Sequence, residues 1–237
     1  MRRVVLAYPL VPGSTIELTR EQHHYLVNVL RMREGEQFIG LDQDGKAFVL
    51  CLEASAGKGV VLYQRNEADN EPDFAVSLFL PLLKGDKLDW VVQKSVELGV
   101  SGIVLYAAKR AVVKAGNLEK KISRWEKIAQ EATEQCRRHV VPSVRGIITL
   151  EEVAQGGPGL FAWEEEVNLG LEGRLSAHPK QRLSLLTGPE GGLAVQEADL
   201  LKSAGWTAVS LGPRILRAET AAIAMLTCVM FAGGAMG

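Results

Sequence analysis

Cysteine is scarce in this chain, and its three copies, Cys51, Cys136 and Cys228, lie far apart in apolar surroundings. Because they lack paired spacing, they predict neither a disulfide framework nor a zinc site, and they fit a reducing compartment. Long apolar runs are missing too. The uncharged segment after Thr220 is interrupted by glycine, and the opening MRRVVLAYP reaches proline before a signal core is complete. We therefore expect a cytoplasmic protein with no metal and no membrane anchor.

A large net charge is also absent, since 27 Lys and Arg face 28 Asp and Glu. The overall balance therefore gives no sign of a nucleic-acid partner. The distribution is uneven, because residues 84–145 hold thirteen Lys or Arg against seven Asp or Glu, whereas residues 1–73 hold eight against eleven. This unevenness predicts a basic face in the middle of the chain.

Two apolar runs stop abruptly in glycine and proline, and the rest of the chain is arranged to present them. LLTGPEGG, residues 185–192, and LGPRILRAETA, residues 211–221, each continue an apolar run typical of a buried strand. Glycine lets the backbone approach a ligand closely and adopt positive φ. Ligands of open α/β sheets bind beyond the carboxyl ends of the strands. We therefore predict that the two loops leave neighbouring strand ends and form a binding site.

Two kinds of pattern divide the chain. Short β-rich runs separated by turns fill residues 2–65, which predicts a small barrel or sandwich. Strands alternate with helices from Phe74 onward, which predicts an α/β fold with a largely parallel sheet. An acidic linker lies between them, so we place two domains at residues 1–68 and 74–237.

Capping patterns mark where several helices begin. Thr19 and Gln22 predict a capping box in the first domain, with Val29 on the apolar side of its helix. Thr149 opens a second box. A later helix is predicted over residues 193–204. Ala194 at its start has no capping side chain, which puts the geometry of the preceding loop in question.

Three further stretches accompany the two glycine loops: HYLVNVLRMREGE, KGDKLDWVVQKSVELGV and RWEKIAQEATEQCRR. Together they resemble the RsmE family of the SPOUT superfamily, whose members methylate N3 of a uridine (U1498) in 16S ribosomal RNA. The resemblance implies a PUA-like β-barrel RNA-binding domain followed by an α/β SPOUT methyltransferase domain with a C-terminal trefoil knot. It implies S-adenosylmethionine as cofactor, 16S rRNA of the small subunit as partner, and a homodimer. The uncharged helix at residues 221–231 also favours a dimer, because one domain face does not cover its apolar surface.

The resemblance assigns cofactor binding to the two loops and makes Ala162 to Glu164 a weaker part of a third. The proposed cofactor residues are Leu186, Thr187, Gly188, Pro189, Glu190, Gly191, Gly192, Leu211, Gly212, Ile215, Leu216 and Arg217. Because a neutral imide nitrogen is a poor nucleophile, the N3 proton must leave. Arg217 is the candidate to stabilise the resulting anion. Glu190 and Glu219 are the candidates to orient Arg217 or to accept the proton, although Glu219 at a helix start also suits the helix dipole.

Candidate RNA contacts lie in both domains: Arg31, Arg33, Lys109, Arg110, Lys114, Arg137 and Arg138. Arg31 and Arg33 are equally well explained as solvated charges, and Arg137 and Arg138 as complements to a helix dipole.

Three other functions compete with the one that the resemblance implies. A nicotinamide oxidoreductase requires an early G-x-G-x-x-G turn with an acid about twenty residues later, which GPEGG does not provide. A noncatalytic RNA-binding module has little reason to keep RILRAET. A SPOUT 2′-O-ribose methyltransferase acting on rRNA or tRNA is the closest competitor, although that group typically has serine and asparagine where this chain has residues 215–217.

Overall fold

A computed structural model describes residues 1–6, 8–110, 118–175 and 182–236. The chain forms two compact units. The first comprises Met1–Asn70 and Thr133–Val140, and the second comprises Glu71–Ala132 and Val141–Gly237. The predicted basic residue Lys114 lies outside the described residues.

The first unit is built on a five-stranded sheet in the order β1-β3-β4-β5-β2. Its strands are β1 (Arg3–Val5), β2 (Thr15–Glu17), β3 (Gln37–Leu41), β4 (Ala47–Glu53) and β5 (Lys58–Gln64). Only β1 and β3 pair in parallel among the described strands of this sheet. Alternate residues of β3 and β4, such as Phe38, Leu50 and Leu52, pack with Leu26 into one apolar core.

A short helix crosses this unit. Helix α1 (Arg20–His24) opens with the predicted capping box, since Thr19 Oγ1 accepts the Gln22 N–H at 3.2 Å and Gln22 Oε1 accepts the Thr19 N–H at 2.9 Å. The helix continues as a π-helical turn (Tyr25–Val29). The wider turn rotates Val29 out of the apolar stripe, and this residue is 57% exposed. The prediction that it faces the core was wrong.

The second unit contains a six-stranded sheet in the order β11-β9-β10-β6-β7-β8, and all its recorded pairings are parallel. Its strands are β6 (Ala75–Pro81), β7 (Gly102–Ala107), β8 (Ser143–Thr149), β9 (Leu160–Ala162), β10 (Arg182–Thr187) and β11 (Thr207–Val209). Its helices are α2 (Lys87–Glu97), α3 (Leu118–Cys136), α4 (Leu150–Gln155), α5 (Leu171–Leu175), α6 (Val195–Ser203) and α7 (Ala218–Ala232). The last turn of α3 is grouped with the first unit.

Helices cover both faces of this sheet, which confirms the predicted α/β fold. Neighbouring residues of β10 point to opposite sides: Leu185 packs in the cluster formed with α2, α3 and α7, and Leu186 in the cluster formed with α4 and α6. The predicted capping box at Thr149 is present at the start of α4. The C-terminal trefoil knot stays a prediction.

Strand β9 brings three loops together. Its last residue, Ala162, pairs in register with Thr187 of β10 and with Val209 of β11. Strands β10 and β11 are therefore not direct neighbours, contrary to prediction. Strand β9 lies between them, and its central residue, Phe161, is fully buried. Because carboxyl ends of parallel strands meet at one edge, the loops after β9, β10 and β11 all leave the sheet side by side.

Candidate active site

A cavity of about 1000 Å³ opens at this edge of the second unit. Three loops wall it, one after each of β9, β10 and β11, and the first residue of α2 also reaches it. The lining consists of Lys87, Ala162, Trp163, Glu164, Glu166, Val167, Gly170, Gly188, Pro189, Glu190, Gly191, Gly192, Ser210, Leu211, Gly212, Pro213, Arg214, Ile215, Leu216, Arg217, Ala218 and Ala221. A cavity at the carboxyl ends of parallel strands is where open α/β sheets bind ligands.

The loop after β10 depends on glycine for its shape. Gly192 has a φ of +70°, and a Cβ atom there would overlap the Glu164 carboxylate. A Cβ atom on Gly188 would lie 3.1 Å from the backbone nitrogen of Leu193. Side chains at these positions would therefore force the loop open, whereas glycine lets its backbone border the cavity.

The loop after β11 presents the opposite wall. Gly212 has a φ of +105°, and its N–H donates to Ser210 Oγ at 3.3 Å. Ile215 is 91% exposed, and Arg217 stands exposed as the N-cap residue of α7. Within the described part of the chain, the Arg217 guanidinium has no recorded hydrogen bond or ion pair. It is therefore available to a ligand.

Lys87 connects the two predicted catalytic glutamates. Its Nζ lies 3.5 Å from Oε1 of Glu190 and 3.2 Å from Oε2 of Glu219. Sequence patterns did not single out Lys87. One signal was present, because a lysine in the first turn of a helix opposes the helix dipole and needs a compensating partner.

The carboxylate of Glu190 is held in its ionised form. Partial burial acts to raise the pKa of Glu190, but the N–H of Lys84, 3.1 Å from Oε1, and its own backbone N–H act in the other direction together with the Lys87 charge. The net effect is a pKa below the usual range for glutamate.

A buried glutamate ties the loop after β7 to the cofactor loop. Glu197, only 3% exposed, accepts the backbone N–H groups of Lys109 and Ala194, each at 2.8 Å. It thereby makes the half of a capping box in which the third residue of the helix accepts the N-cap N–H, and the Ala194 side chain cannot make the other half. Arg110 donates to the Gly191 carbonyl oxygen at 3.0 Å. Arg110, a predicted RNA contact, therefore also supports the loop after β10.

Most predicted cofactor residues border the cavity: Gly188, Pro189, Glu190, Gly191, Gly192, Leu211, Gly212, Ile215, Leu216 and Arg217. Leu186 and Thr187 are buried beneath it, and the Thr187 carbonyl oxygen accepts the Tyr106 hydroxyl at 3.0 Å. Glu219 does not line the cavity and reaches the site through Lys87. The loop after β9 contributes more than predicted, because Glu166 and Val167 line the cavity in addition to Ala162 to Glu164.

The predicted RNA contacts of the first unit differ in exposure. Arg31, Arg33 and Arg137 are exposed, and Arg31 and Arg137 adopt positive φ values of 54° and 66° immediately after helical segments. Arg138 is only 5% exposed. Its burial corrects the prediction that this guanidinium is offered to RNA.

Among the described residues, no three His, Cys, Asp or Glu side chains come together in a way that would hold a metal ion. Across the same part of the chain, no helix combines the length and apolar character needed to cross a membrane.

Two known protein families match this architecture. A family described as RNA methyltransferase domain matches residues 70–230, and one described as RNA methyltransferase PUA domain matches residues 18–62. The fold and the site thus define an RNA methyltransferase with an amino-terminal PUA-like domain. Among such enzymes, the chain belongs to the ribosomal RNA small subunit methyltransferase E family. It is 36% identical to the member from Bacillus subtilis, over 92% of this chain and 91% of the relative.

Two solved structures extend the likeness. The ribosomal RNA small subunit methyltransferase E from Neisseria gonorrhoeae, bound to S-adenosyl methionine, has a TM-score of 0.88 at 32% identity and 97% coverage of both chains. The putative methyltransferase Lpg2936 from Legionella pneumophila, in complex with bound SAM, has a TM-score of 0.89 at 30% identity with the same coverage.

Proposed function

We propose that this protein transfers the methyl group of S-adenosylmethionine to N3 of a uridine, U1498, in 16S ribosomal RNA of the small subunit. One observation carries the proposal: the glycine loop after β10 and the loop after β11 enclose a single cavity, with the exposed guanidinium of Arg217 at its edge. The names of the relatives and the cofactor in two of the similar structures support it.

The residues at the cavity fit this cofactor. Backbone groups of Gly188, Leu211 and Ile215 would read the adenine edge, and the side chains of Leu211 and Leu216 would cover its faces. Glu164 and Glu166 line the same cavity and complement a cationic ligand. When bound, the cofactor supplies an electrophilic methyl carbon on a sulfonium. The protein then has to orient it and exclude water.

The uracil must lose its N3 proton before it can react. When the pKa of the imide lies about two to three units above neutral pH, forming the anion costs about 3 to 4 kcal/mol. Arg217 would offset this cost by donating charge-assisted hydrogen bonds to the uracil oxygens. Glu190, which lines the cavity, and Glu219, which reaches it through Lys87, are the proposed carboxylates that orient Arg217 or take the proton. The target base must be unstacked to enter the cavity.

Binding of RNA is assigned to exposed arginine and lysine side chains. Arg31, Arg33 and Arg137 of the first unit and Lys109 and Arg110 of the second are the described candidates. Lys114 joins them from sequence alone. A folded RNA surface that spans several such groups is consistent with a small-subunit substrate and a cytoplasmic enzyme.

A homodimer completes the proposal. One side of α7 packs in its own unit through Ala222, Met225, Leu226 and Val229, whereas Phe231 is 70% exposed and Cys228 is also exposed. A second copy is the proposed cover for this apolar surface. Light scattering should give twice the chain mass at micromolar concentration, and a monomer there would contradict the dimer.

The decisive experiment incubates the protein and labelled cofactor with undermethylated small subunits, free 16S rRNA and transfer RNA. Nucleoside analysis should find 3-methyluridine, formed best on the assembled subunit, because a site made of several RNA segments exists only there. Labelled 2′-O-methyl nucleosides or labelled transfer RNA would instead establish a ribose methyltransferase.

A further inference from the structure

The contacts of Lys87 assign different positions to the two glutamates of the site. Glu190 belongs to the loop after β10, lines the cavity, and has a side chain 23% exposed. Glu219 belongs to α7 and has a side chain 15% exposed. Its Oε2 atom is completely buried and, among the described residues, has no hydrogen-bond partner. The ion pair with Lys87 is therefore the recorded interaction that compensates this buried charge.

Burial of a carboxylate oxygen is costly unless a cation or a hydrogen bond offsets it. Glu219 thus fixes the Lys87 ammonium beside the cavity, and the ammonium in turn contacts Glu190. The three residues come from α7, α2 and the loop after β10, so this chain of charges joins three elements around the cavity.

We propose that Glu190 accepts the N3 proton and that Lys87, anchored by Glu219, is the positioning residue that keeps Glu190 oriented toward the substrate. This inference rests on the proposed function. The N3–H bond breaks as the proton passes to a Glu190 oxygen. The electron pair left on N3 forms the bond to the methyl carbon, and the pair of the breaking carbon–sulfur bond goes to sulfur. Glu190 then returns its proton to water.

This arrangement lowers the basicity of Glu190 and fixes its orientation. A carboxylate beside an ammonium is a weaker base than a free one, but it is fully ionised at neutral pH and stays in one place. Stabilisation of the anion by Arg217 offsets the lost basicity. Four other charged residues line the same cavity, and Arg110 bonds Gly191 beside Glu190; all of them are common to the variants tested. The four are Glu164, Glu166, Arg214 and Arg217.

The chain offers a matched control for Lys87. Lys94 lies on the same helix, is 34% exposed against 33% for Lys87, and pairs with Glu97 at 2.8 Å, away from the cavity lining. K87M and K94M each remove one ammonium of similar exposure from α2, with two ion pairs lost at Lys87 and one at Lys94, whereas K87R retains the cation. The experiment compares all three with the parent protein in two measurements: single-turnover methylation of small subunits across pH with saturating cofactor, and carbon-13 NMR titration of the glutamate carboxyl groups without RNA.

In K87M we expect a turnover loss of about tenfold to hundredfold. The Glu190 titration and the acidic limb of the rate profile should both move to higher pH, because the carboxylate has lost its cation. K87R should restore most of the turnover rate and most of the original pH dependence. K94M should change neither the rate nor the pH dependence. If K87M and K94M show equal rates and the same acidic limb, the role of Lys87 is refuted. If even the parent protein and K94M form no 3-methyluridine, the proposed function itself is refuted.

Discussion

Arg110 and Gly191 are joined by a hydrogen bond of 3.0 Å from the guanidinium to the carbonyl oxygen. A residue that sequence assigned to RNA thus supports the loop that borders the cofactor cavity. Arg110→Ala should weaken S-adenosylmethionine binding about fivefold even without RNA, because an exposed charged hydrogen bond contributes about 1 kcal/mol. Calorimetry measures this directly. Lys109→Ala is the control, since Lys109 bonds Glu197 through its backbone, and equal affinities in the two variants would contradict the supporting role.

Gly188 should not tolerate a branched side chain. Its Cβ would lie 3.1 Å from the Leu193 nitrogen and 3.2 Å from the Leu193 side chain, so Gly188→Val should displace the loop and abolish detectable cofactor binding in a folded protein. Circular dichroism would verify folding before calorimetry. At Gly173 of α5 an added Cβ meets open space, and Gly173→Ala should bind normally. Unchanged affinity in Gly188→Val would place the cofactor elsewhere.

Arg217 should matter for turnover rather than for cofactor affinity. Its proposed partner is the uracil anion, which forms only during the reaction. Arg217→Ala should therefore reduce single-turnover methylation to background while the cofactor dissociation constant stays within about tenfold. A variant that loses affinity and keeps its maximal rate would show that this arginine holds the cofactor instead.

Arg137 combines an exposed charge with a backbone conformation that favours glycine, at φ +66°. Arg137→Gly should stabilise the protein by about 0.5 to 1 kcal/mol, after allowing for the greater freedom of glycine in the unfolded chain. It should nevertheless weaken RNA binding. The salt dependence of the RNA affinity should fall by the amount that about one phosphate contact contributes. Chemical denaturation and filter binding at several salt concentrations test both. RNA affinity equal to that of the parent would remove Arg137 from the interface.

Glu67 makes the first unit sensitive to acid. Partial burial acts to raise its pKa, but hydrogen bonding to Arg3 and the charges of Arg3, Arg65 and His139 lower the pKa below its usual value of 4.5. A carboxyl whose pKa is lowered by folding contributes stability above its unfolded pKa and loses it as the pH falls through the folded pKa. Glu67→Gln should cost about 2 kcal/mol at neutral pH and less in acid.

Denaturation of Glu67→Gln at neutral and acidic pH measures this difference. Asp44→Asn is the control, because Asp44 pairs with Lys46 at 3.7 Å with both side chains more than half exposed. Equal acid sensitivity of Glu67→Gln and the parent protein would mean that other carboxyl groups govern the transition.

Local patterns in the sequence were sufficient for features that depend on near neighbours. The box of Thr19 and Gln22 formed as predicted because both partners lie within one helical turn. The glycine loops formed for the same reason, since the conformation of Gly192 and Gly212 depends on their own backbone.

Features that depend on distant contacts were missed. Lys87 joins glutamates more than a hundred positions along the chain, and Glu197 joins the loop after β7 to the start of α6. The placement of β9 between β10 and β11 likewise requires strand pairing, which short apolar runs do not specify. Val29 was misplaced because its stretch was read as a regular α-helix, and periodicity does not reveal a π-helical turn.

The position of β9 has a consequence for how the protein acquires activity. Ala162 must pair with Thr187 on one side and with Val209 on the other before the three loops stand together. Pairings between strands so far apart in sequence form slowly, since a long loop must close for each. During synthesis, the chain emerges from its amino terminus, so the wall contributed by residues 210–217 is the last to arrive. The newly made protein therefore becomes able to hold its cofactor only after residues 210–217 have left the ribosome and β11 has paired with β9.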